Sequence, residues 1–527
     1  MRLGCARSVG LLGMEAALID VEVSVGGGLP RTVIVGLPDT SLYEARDRCR
    51  AACASAGFGW PEHLVTINLS PASLPKAGTH FDLAIVAAVL AAQGKVPAEG
   101  LQDTVLVGEV GLDGGVRAVR GVLPAVLAAA REGVGQAIVP VAQVGEARLV
   151  DGVTVRGVGS LADLAAVLAG EEVPEPEQPA RVATIERVPD LADVAGQLEA
   201  RWALEVAAVG GHHLYLHGPP GVGKTLLAER LPGILPDLTA PQALEVAAIR
   251  SLCGLGSSGA LPRRPPFAAP HHSASMPALT GGGPRVAQPG AISLAHRGVL
   301  FLDEAPEFSP RALEALRTPL ESGVIELARS RAITRFPARF QLILAANPCP
   351  CGQSGTPGGA CTCPPMAIRR YAARLSGPIL DRVDIVQRLR PMTQSYLRAV
   401  GSVGEATAPV AARVREARER QARRLGEWGW TTNAEVPGRL LRTKLPLPDG
   451  VDLLDQAVAR GQISARGVDK VLRLSWSIAD LAGQAAPGGW IYRRRWPCAA
   501  VTRCRRCGDG RHRADGPDDP GVCDRTG

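Results

Sequence analysis

Apolar residues recur along this chain with two different periods, and the changes of period mark its elements. In residues 1–169, β-branched runs at Ala17–Val25, Thr32–Val35, Leu64–Leu69, Thr104–Val107 and Ala137–Val139 predict strands. Between them, Tyr43–Ala54, Phe81–Ala92 and Leu123–Glu132 repeat at helix spacing, so this part reads as an α/β unit. Further on, Leu214–Leu216 is a short apolar run, and Leu226–Leu231 follows it with helical character. Residues 298–304, Gly-Val-Leu-Phe-Leu-Asp-Glu, and the run Leu342-Ile-Leu-Ala-Ala are continuously apolar, as parallel strands buried on both faces must be. Glu321 to Pro337 reads as a β-hairpin with Arg329 and Arg331 near its tip. Residues 410–483 turn helical, and a last helix reaching Leu481 carries Val468, Val471, Leu472, Leu474 and Ile478 on its apolar positions. From residue 485 the periodicity collapses.

Between the run at 214–216 and the helix after it lie Gly218, Pro219, Pro220, Gly221, Val222, Gly223, Lys224 and Thr225. This is a complete phosphate-binding loop in its strand–loop–helix setting. Its glycines let the backbone N–H groups curl towards phosphate oxygens, Lys224 reaches the β- and γ-phosphates, and the Thr225 hydroxyl holds Mg²⁺. The implied ligands are ATP and Mg²⁺. An acid at the carboxyl end of a parallel strand emerges beside such a site, so Asp303 is expected in the Mg²⁺ shell and Glu304 against the attacking water. The competing reading has both acids merely starting a helix. Asn347 ends the next apolar run, where its amide can bond the γ-phosphate and the water.

Two arginines extend this set. Arg382, in Ser376-Gly-Pro-Ile-Leu-Asp-Arg, suits insertion into a neighbouring subunit's site, or else a surface salt bridge to Asp381 or Asp384. Arg466, in Ser464-Ala-Arg-Gly on the last helix, suits a γ-phosphate contact. Cys349, Cys351, Cys361 and Cys363 fall within fifteen residues, a set that fits a closed tetrahedral Zn²⁺ site, with reduced, redox-sensitive thiols as the alternative. His271 and His272 lack a nearby third ligand, which favours a structural or DNA-contacting role over metal binding. The hairpin arginines Arg329 and Arg331 are candidates for tracking phosphates in a channel, against the plainer reading of a solvated turn.

The strings Ala269-Pro-His-His-Ser, Gly281-Gly-Gly-Pro, Ser293-Leu-Ala-His-Arg-Gly-Val-Leu-Phe-Leu-Asp-Glu, Asn347-Pro-Cys-Pro-Cys-Gly and Ser376-Gly-Pro-Ile-Leu-Asp-Arg occur in this order. Together they resemble the YifB/ComM group of bacterial AAA+ ATPases, relatives of the magnesium-chelatase I subunit, over about residues 1–484. The resemblance implies a homo-oligomer in the form of a hexameric ring and, for ComM-like members, ATP-driven branch migration of DNA. It also implies a fold class: α/β, with a Lon-protease-like (ribosomal S5 domain 2-like) N-domain, an AAA+ P-loop NTPase core and a C-terminal helical lid. Pro75-Lys-Ala-Gly-Thr-His-Phe-Asp resembles the catalytic stretch of Lon-type proteases, but His80 stands in the nucleophile's place and Leu123 in the lysine's. A serine–lysine dyad needs a hydroxyl and an amine, so a scaffold or DNA-facing collar is expected instead.

The resulting domain scheme is 1–169 for the N-terminal domain, 170–188 for an acidic, proline-rich linker, 189–391 for the ATPase core, 392–484 for the lid and 485–527 for an atypical tail. The stretch from about Ser251 to Gly290 exceeds what one helix and one strand need, and reads as a pore-facing insertion or a solvated loop.

Composition changes this picture in three places. The net charge of +7 is concentrated in residues 485–527, whose nine Arg and five Asp leave the rest of the chain almost neutral. DNA contact must therefore come from local clusters. Only five of the 58 basic residues are Lys, a bias that suggests GC-rich coding, and the tail then reads as a shifted frame or as a genuine Cys-containing basic zinc tail. No apolar stretch reaches the roughly 18 residues of a membrane span, Glu15 follows the short run Val9–Met14, and no cleavage site is evident. The expectation is a cytoplasmic protein with no membrane partner, its twelve cysteines serving as thiols or metal ligands. A metal-insertion ATPase for a tetrapyrrole and a protein-remodelling ATPase are the rival functions.

Overall fold

The structure is a computed structural model, and it describes residues 2–36, 40–74, 76, 78–174, 189–256, 259–283, 287–328, 333–355, 358–392 and 404–488. The expectations for Arg329, Arg331 and the tail from residue 489 lie outside the described residues. No described helix is long and apolar enough to cross a membrane.

Seven strands form the first sheet: β1 (Arg2–Leu12), β2 (Glu15–Gly26), β3 (Arg31–Val35), β4 (Leu64–Ser70), β5 (Thr104–Leu106), β8 (Gln136–Pro140) and β9 (Thr154–Val158). Their order is β3-β4-β2-β1-β5-β8-β9, with β2 antiparallel to its neighbours β1 and β4 and the other pairings parallel. A small ribbon, β6 (Glu109–Val110) with β7 (Val116–Arg117), stands beside it. Side chains alternate between the faces. Ile19, Val21 and Val23 of β2 join one core with the helix Asp82–Gln93, which is buried along nearly its whole length. Val9 of β1 and Val105 of β5 join the opposite core with the helix Val122–Arg131.

The expected strands and helices of this region are present within two residues at each end, the first helix excepted, which begins at Thr40. Strands β1 and β9 and the helix Leu161–Leu168 are additions to the sequence reading. His80 and Leu123 are both interior; the His80 Nε2 lies 2.8 Å from the Val9 carbonyl oxygen.

The second sheet is wholly parallel, in the order β11-β14-β17-β10-β18. Its strands are β10 (Leu214–His217), β11 (Phe267–Ala268), β14 (Val299–Leu302), β17 (Gln341–Ala346) and β18 (Ile385–Arg388). Strand β10 lies inside the sheet with β17 on one side and β18 on the other; the connection leaving β10 runs towards β11 and the one leaving β17 runs to β18, so the crossovers from these neighbours go opposite ways. In open α/β sheets ligands bind at the carboxyl ends beside such a reversal. Helices Leu198–Gly210 and Lys224–Ile234 share one core with Leu214, Leu216, Phe301 and Ile343. Leu300, Leu302, Leu342 and Leu344 face a second core on the other side.

The long stretch after residue 251 is only partly loop. Phe267–Ala268 enters the sheet as β11, and a ribbon forms from β12 (Gly281–Gly282) and β13 (Gln288–Pro289). The expected hairpin is β15 (Val324–Ala328) paired with β16 (Ile333–Pro337). Helices Thr407–Leu425 and Ala465–Leu481 pack on Leu198–Gly210. A buried polar chain fastens them. His212 Nδ1 lies 3.0 Å from Asp384 and its Nε2 2.7 Å from the Ser477 hydroxyl, while the Asn433 amide donates to Ser477 and Asp480. Ser, His and Asp here have the contacts of a hydrolytic triad, but all three are buried, which makes this a fastening.

Candidate nucleotide site at the carboxyl end of the parallel sheet

Lys224 opens the helix Lys224–Ile234, and Gly223 caps it in the left-handed region at φ 91°. Gly221 is also left-handed, at φ 78°, a conformation that side chains with a Cβ disfavour. These two residues turn the loop into the N-terminus of the helix, where the helix dipole attracts anions. The Gly218 N–H donates to the Ala346 carbonyl, which ties the loop to the end of β17.

Side chains from the helix start and from two strand ends, those of β14 and β17, converge on this loop. The Lys224 ammonium donates to the Gly218 and Pro219 carbonyls at 2.7 and 2.9 Å and to the Asn347 side-chain oxygen at 2.9 Å. Burial lowers the Lys224 pKa, and the charges of Asp303 and Glu304 oppose that shift. The Thr225 hydroxyl donates to Asp303 Oδ2 at 2.7 Å, and Asp303 Oδ1 accepts from the Glu304 N–H at 2.8 Å. Glu304 itself sits in the left-handed region, φ 48° and ψ 42°, one of three non-glycine residues there among the described ones. Its carboxylate therefore leaves the sheet in a direction that a helix start would not give. Asp303 and Glu304 do precede a short 3₁₀ turn, Ala305–Glu307, the feature that the helix-start reading of this pair expects.

Sequence reasoning missed four neighbours. His272 Nδ1 lies 3.3 Å from Glu304 Oε2. Tyr371 is buried beside the Asn347 backbone, and burial, then Glu307 and Glu304, push its phenol up to about 12. His217, the last residue of β10, is pushed down to about 4 by burial and then by Arg388 and Lys224, so it is neutral at physiological pH. Gln197, left-handed at φ 46°, donates to the Val222 carbonyl at 3.3 Å and the Arg390 carbonyl at 2.9 Å, clasping the loop to the end of β18. None belongs to a periodic pattern; only the adjacency of His271 and His272 gave any signal.

Arg382 and Arg466 are not brought to this loop by any described contact. Arg382 follows the short helix Gly377–Leu380, is 13% exposed, and pairs with Glu321 and the Pro378 carbonyl, not with Asp381 or Asp384. Its Nε is buried without a hydrogen-bond partner among the described residues. Arg466 is exposed in the first turn of the helix Ala465–Leu481. One turn on, the Lys470 ammonium donates to the Val383 carbonyl at 2.8 Å, so this helix is tied to the segment that bears Arg382.

The four cysteines do converge. Their sulfur atoms lie within 4.8 Å of one another, with Cys349–Cys351, Cys351–Cys361 and Cys349–Cys361 at 3.3, 3.6 and 3.8 Å. Tetrahedral Zn²⁺ with bonds of about 2.3 Å sets its sulfurs about 3.8 Å apart, so the residues fit that ion. The Ser354 N–H donates to the Cys349 sulfur at 3.3 Å, and the Cys351 thiol is lowered to about 6 by the Gln353 backbone N–H and then by the neighbouring thiols. Gly352 in this turn lies against Pro220 of the phosphate loop.

Known proteins resemble the chain over nearly all of this architecture. Family models match in three consecutive parts: "Subunit ChlI of Mg-chelatase" over residues 21–143, "Magnesium chelatase, subunit ChlI" over 190–397, and "Magnesium chelatase, subunit ChlI C-terminal" over 404–489. An uncharacterized protein of Mycobacterium tuberculosis is 52% identical over 490 residues, which span 93% of this chain and 97% of the relative. Competence protein ComM of Haemophilus influenzae is 40% identical over 491 residues, 92% and 95% of the two chains. The uncharacterized protein YifB of Escherichia coli is 42% identical over 482 residues, 91% and 94% of the two.

Proposed function

The chain belongs to the YifB/ComM family of magnesium-chelatase-like proteins, and from that premise we propose that it is an ATP-hydrolysing ring motor acting on DNA. The observation that carries the ATPase reading is the junction of Thr225 with Asp303 at 2.7 Å and of Lys224 with Asn347 at 2.9 Å. An ammonium and a hydroxyl from one helix, a carboxylate from the end of β14 and an amide from the end of β17 meet at that helix's N-terminus. That set matches the needs of Mg²⁺-assisted phosphoryl transfer, in which catalysis is chiefly positioning and charge stabilisation.

In this reading the amides of residues 218–225 and Lys224 bind the phosphates of ATP. Thr225 and Asp303 hold Mg²⁺, Glu304 polarises the attacking water, and Asn347 orients it. Arg382 leaves Glu321 to enter a neighbouring subunit's site in a hexameric ring, with Arg466 as a second γ-phosphate contact. Residues 1–169 serve as a Lon-like collar without a protease dyad, and the helices after residue 404 as the lid. The Cys349, Cys351, Cys361 and Cys363 sulfurs would hold a structural Zn²⁺ that steadies the turn between Asn347 and Pro220. The working place is the cytoplasm, where those thiols stay reduced.

DNA as the track is supported by the relative named as a competence protein and by Arg329 and Arg331, which stand in the sequence between β15 and β16. The test is ATP turnover with single-stranded or branched DNA, with a porphyrin, and with an unfolded protein. Stimulation by DNA alone is expected, and it should disappear when Arg329 and Arg331 are both replaced by alanine. Each phosphate contact so lost flattens the log–log salt dependence of DNA binding by about one unit. Stimulation by porphyrin or by unfolded protein instead would overturn the DNA reading and leave the ATPase site intact.

A further inference from the structure

Lys470, on the helix Ala465–Leu481, is buried far from the phosphate loop's own contacts, and its ammonium bonds only to backbone among the described residues. It donates to the Val383 carbonyl at 2.8 Å and, more weakly, to the Leu380 carbonyl at 3.4 Å. Burial lowers its pKa, and the charges of Asp384 and Asp381 oppose that shift. An apolar residue would fill the same space without the cost of burying a cation. What the ammonium adds is direction, since hydrogen bonds constrain the groups that accept them. The two accepting carbonyls stand on either side of Arg382, just past the short helix Gly377–Leu380.

The same helix grips the chain a second time. Asp384, two residues after Arg382, lies 3.0 Å from His212 Nδ1, and His212 Nε2 lies 2.7 Å from the Ser477 hydroxyl. Lys470 and Ser477 are two helical turns apart and therefore share one face. The Asp384 and Ile385 N–H groups both donate to the His213 carbonyl at 3.1 Å, which completes the fixing of this segment. The Arg382 side chain is held differently. Its described partners are Glu321, itself 61% exposed, and the Pro378 carbonyl, and its Nε is buried without a hydrogen-bond partner among the described residues. A fixed backbone thus presents a side chain whose chief ion-pair partner is open to solvent.

We propose that Lys470 is a positioning residue for Arg382: its ammonium fixes the turn from Leu380 to Val383, so that the guanidinium leaves Glu321 in the one direction that reaches the neighbouring subunit's phosphate loop. The inference rests on the role given to Arg382 above. It has a consequence that a merely structural lysine would not share. Loss of Lys470 damages the neighbour's site and leaves the phosphate loop of its own subunit competent.

The experiment uses the full chain with Mg²⁺-ATP. Nucleotide affinity, KM, kcat, co-assembly and denaturant unfolding are measured for Lys470→Met, Lys470→Gln, Lys470→Arg and Arg382→Ala, each alone and mixed with Lys224→Ala. Lys470→Met should keep its nucleotide affinity and lose about 10- to 100-fold in kcat, up to the scale of a misplacement by about 1 Å. Lys470→Arg, which keeps the charge and the donors, should recover part of that loss. Mixing Lys470→Met with Lys224→Ala should restore activity as Arg382→Ala does in the same mixture. Mixing Lys470→Met with Arg382→Ala should restore none, because neither subunit then presents a working guanidinium. If Lys470→Met does not fold, Lys470→Gln is read in the same mixtures. A folded variant without the ammonium that turns over ATP normally overturns the inference. So does a loss that Lys224→Ala fails to complement while it complements Arg382→Ala, since the defect then lies in the variant's own site. Normal turnover by Arg382→Ala overturns the role of Arg382 and the inference with it.

Discussion

The two sheets each carry a charged cluster, and the clusters are built on opposite principles. Against the first sheet, on the helix Asp82–Gln93, Asp82 has no exposure, accepts two bonds from Arg48 at 2.9 and 3.0 Å, and accepts a third from the Val110 N–H at 3.3 Å. Burial raises the Asp82 pKa to about 6 against the pull of Arg48. Around the second sheet the charges come from a strand end and two helix ends, and each has a different kind of partner: Glu304 with His272, Arg382 with Glu321, Lys224 with loop carbonyls. Asp82 is the more perturbed group, yet its contacts are closed and leave no face for a ligand. A shifted pKa alone therefore does not mark chemistry in this molecule.

If the open cluster is catalytic, its members should cost rate and spare the fold. Arg382→Ala is the severest test: ATP binding by one subunit should persist, with turnover falling by about 10³–10⁵ if the guanidinium acts across a subunit boundary. Mixing it with Lys224→Ala should restore part of the activity, because some interfaces then pair an intact loop with an intact Arg382. A co-assembled mixture no more active than its parents would remove Arg382 from the open set. Glu304→Gln comes next, with kcat lowered by about 10²–10⁴, the range for one acid–base group, and nucleotide affinity retained. Single-turnover measurements separate these outcomes from slow product release.

What the sequence made readable follows from how each feature is specified. Continuous apolar runs fixed β10, β14 and β17 because strands buried on both faces admit little else. The phosphate loop was readable because its glycines and lysine are dictated by local backbone geometry. Strand β1 was not, since Arg2, Arg7 and several small residues interrupt its pattern, and long antiparallel pairing with β2 supplies what its own residues lack. The helix Leu161–Leu168 did announce itself, through the Ser160–Asp163 capping box, a signal passed over in favour of apolar runs. Two-residue β11 has no pattern of its own and is held by pairing with β14. The contacts of His272 and Gln197 join residues far apart in sequence, where no period can report them. Of the salt bridges that the sequence suggests for Arg382, neither Asp381 nor Asp384 forms it; its partner, Glu321, lies on a separate helix far away in sequence.

The closed cluster should behave in the reverse way. Arg48→Met removes the only cation bonded to the buried Asp82 among the described residues. Breaking such a pair typically costs about 3–5 kcal/mol, because a buried charge is left without compensation. Denaturant unfolding should show that loss, while turnover per folded molecule stays within about two-fold of wild type, a surface-like effect on rate. A drop in kcat comparable to that of Glu304→Gln would dissolve the distinction between the two sheets.

The mildest test uses pH. Asp82 binds its proton more tightly folded, at about 6, than unfolded, near its ordinary value of 3.8. Between those values the native state holds more protons than the unfolded state, so stability contributed through Asp82 falls as pH rises from about 4 to about 6. Below that window both states are protonated, and above it neither is, so the contribution levels off. Other carboxylates titrate nearby, and the comparison is therefore a difference. The unfolding free energy of wild type minus that of Asp82→Asn should decline across the window and flatten above it, since asparagine mimics the protonated acid without titrating. Turnover normalised to folded protein should not follow this curve. A difference that stays level with pH would mean that Arg48 keeps Asp82 ionised throughout, as it would an open-site carboxylate, and burial would then not be what separates the two clusters.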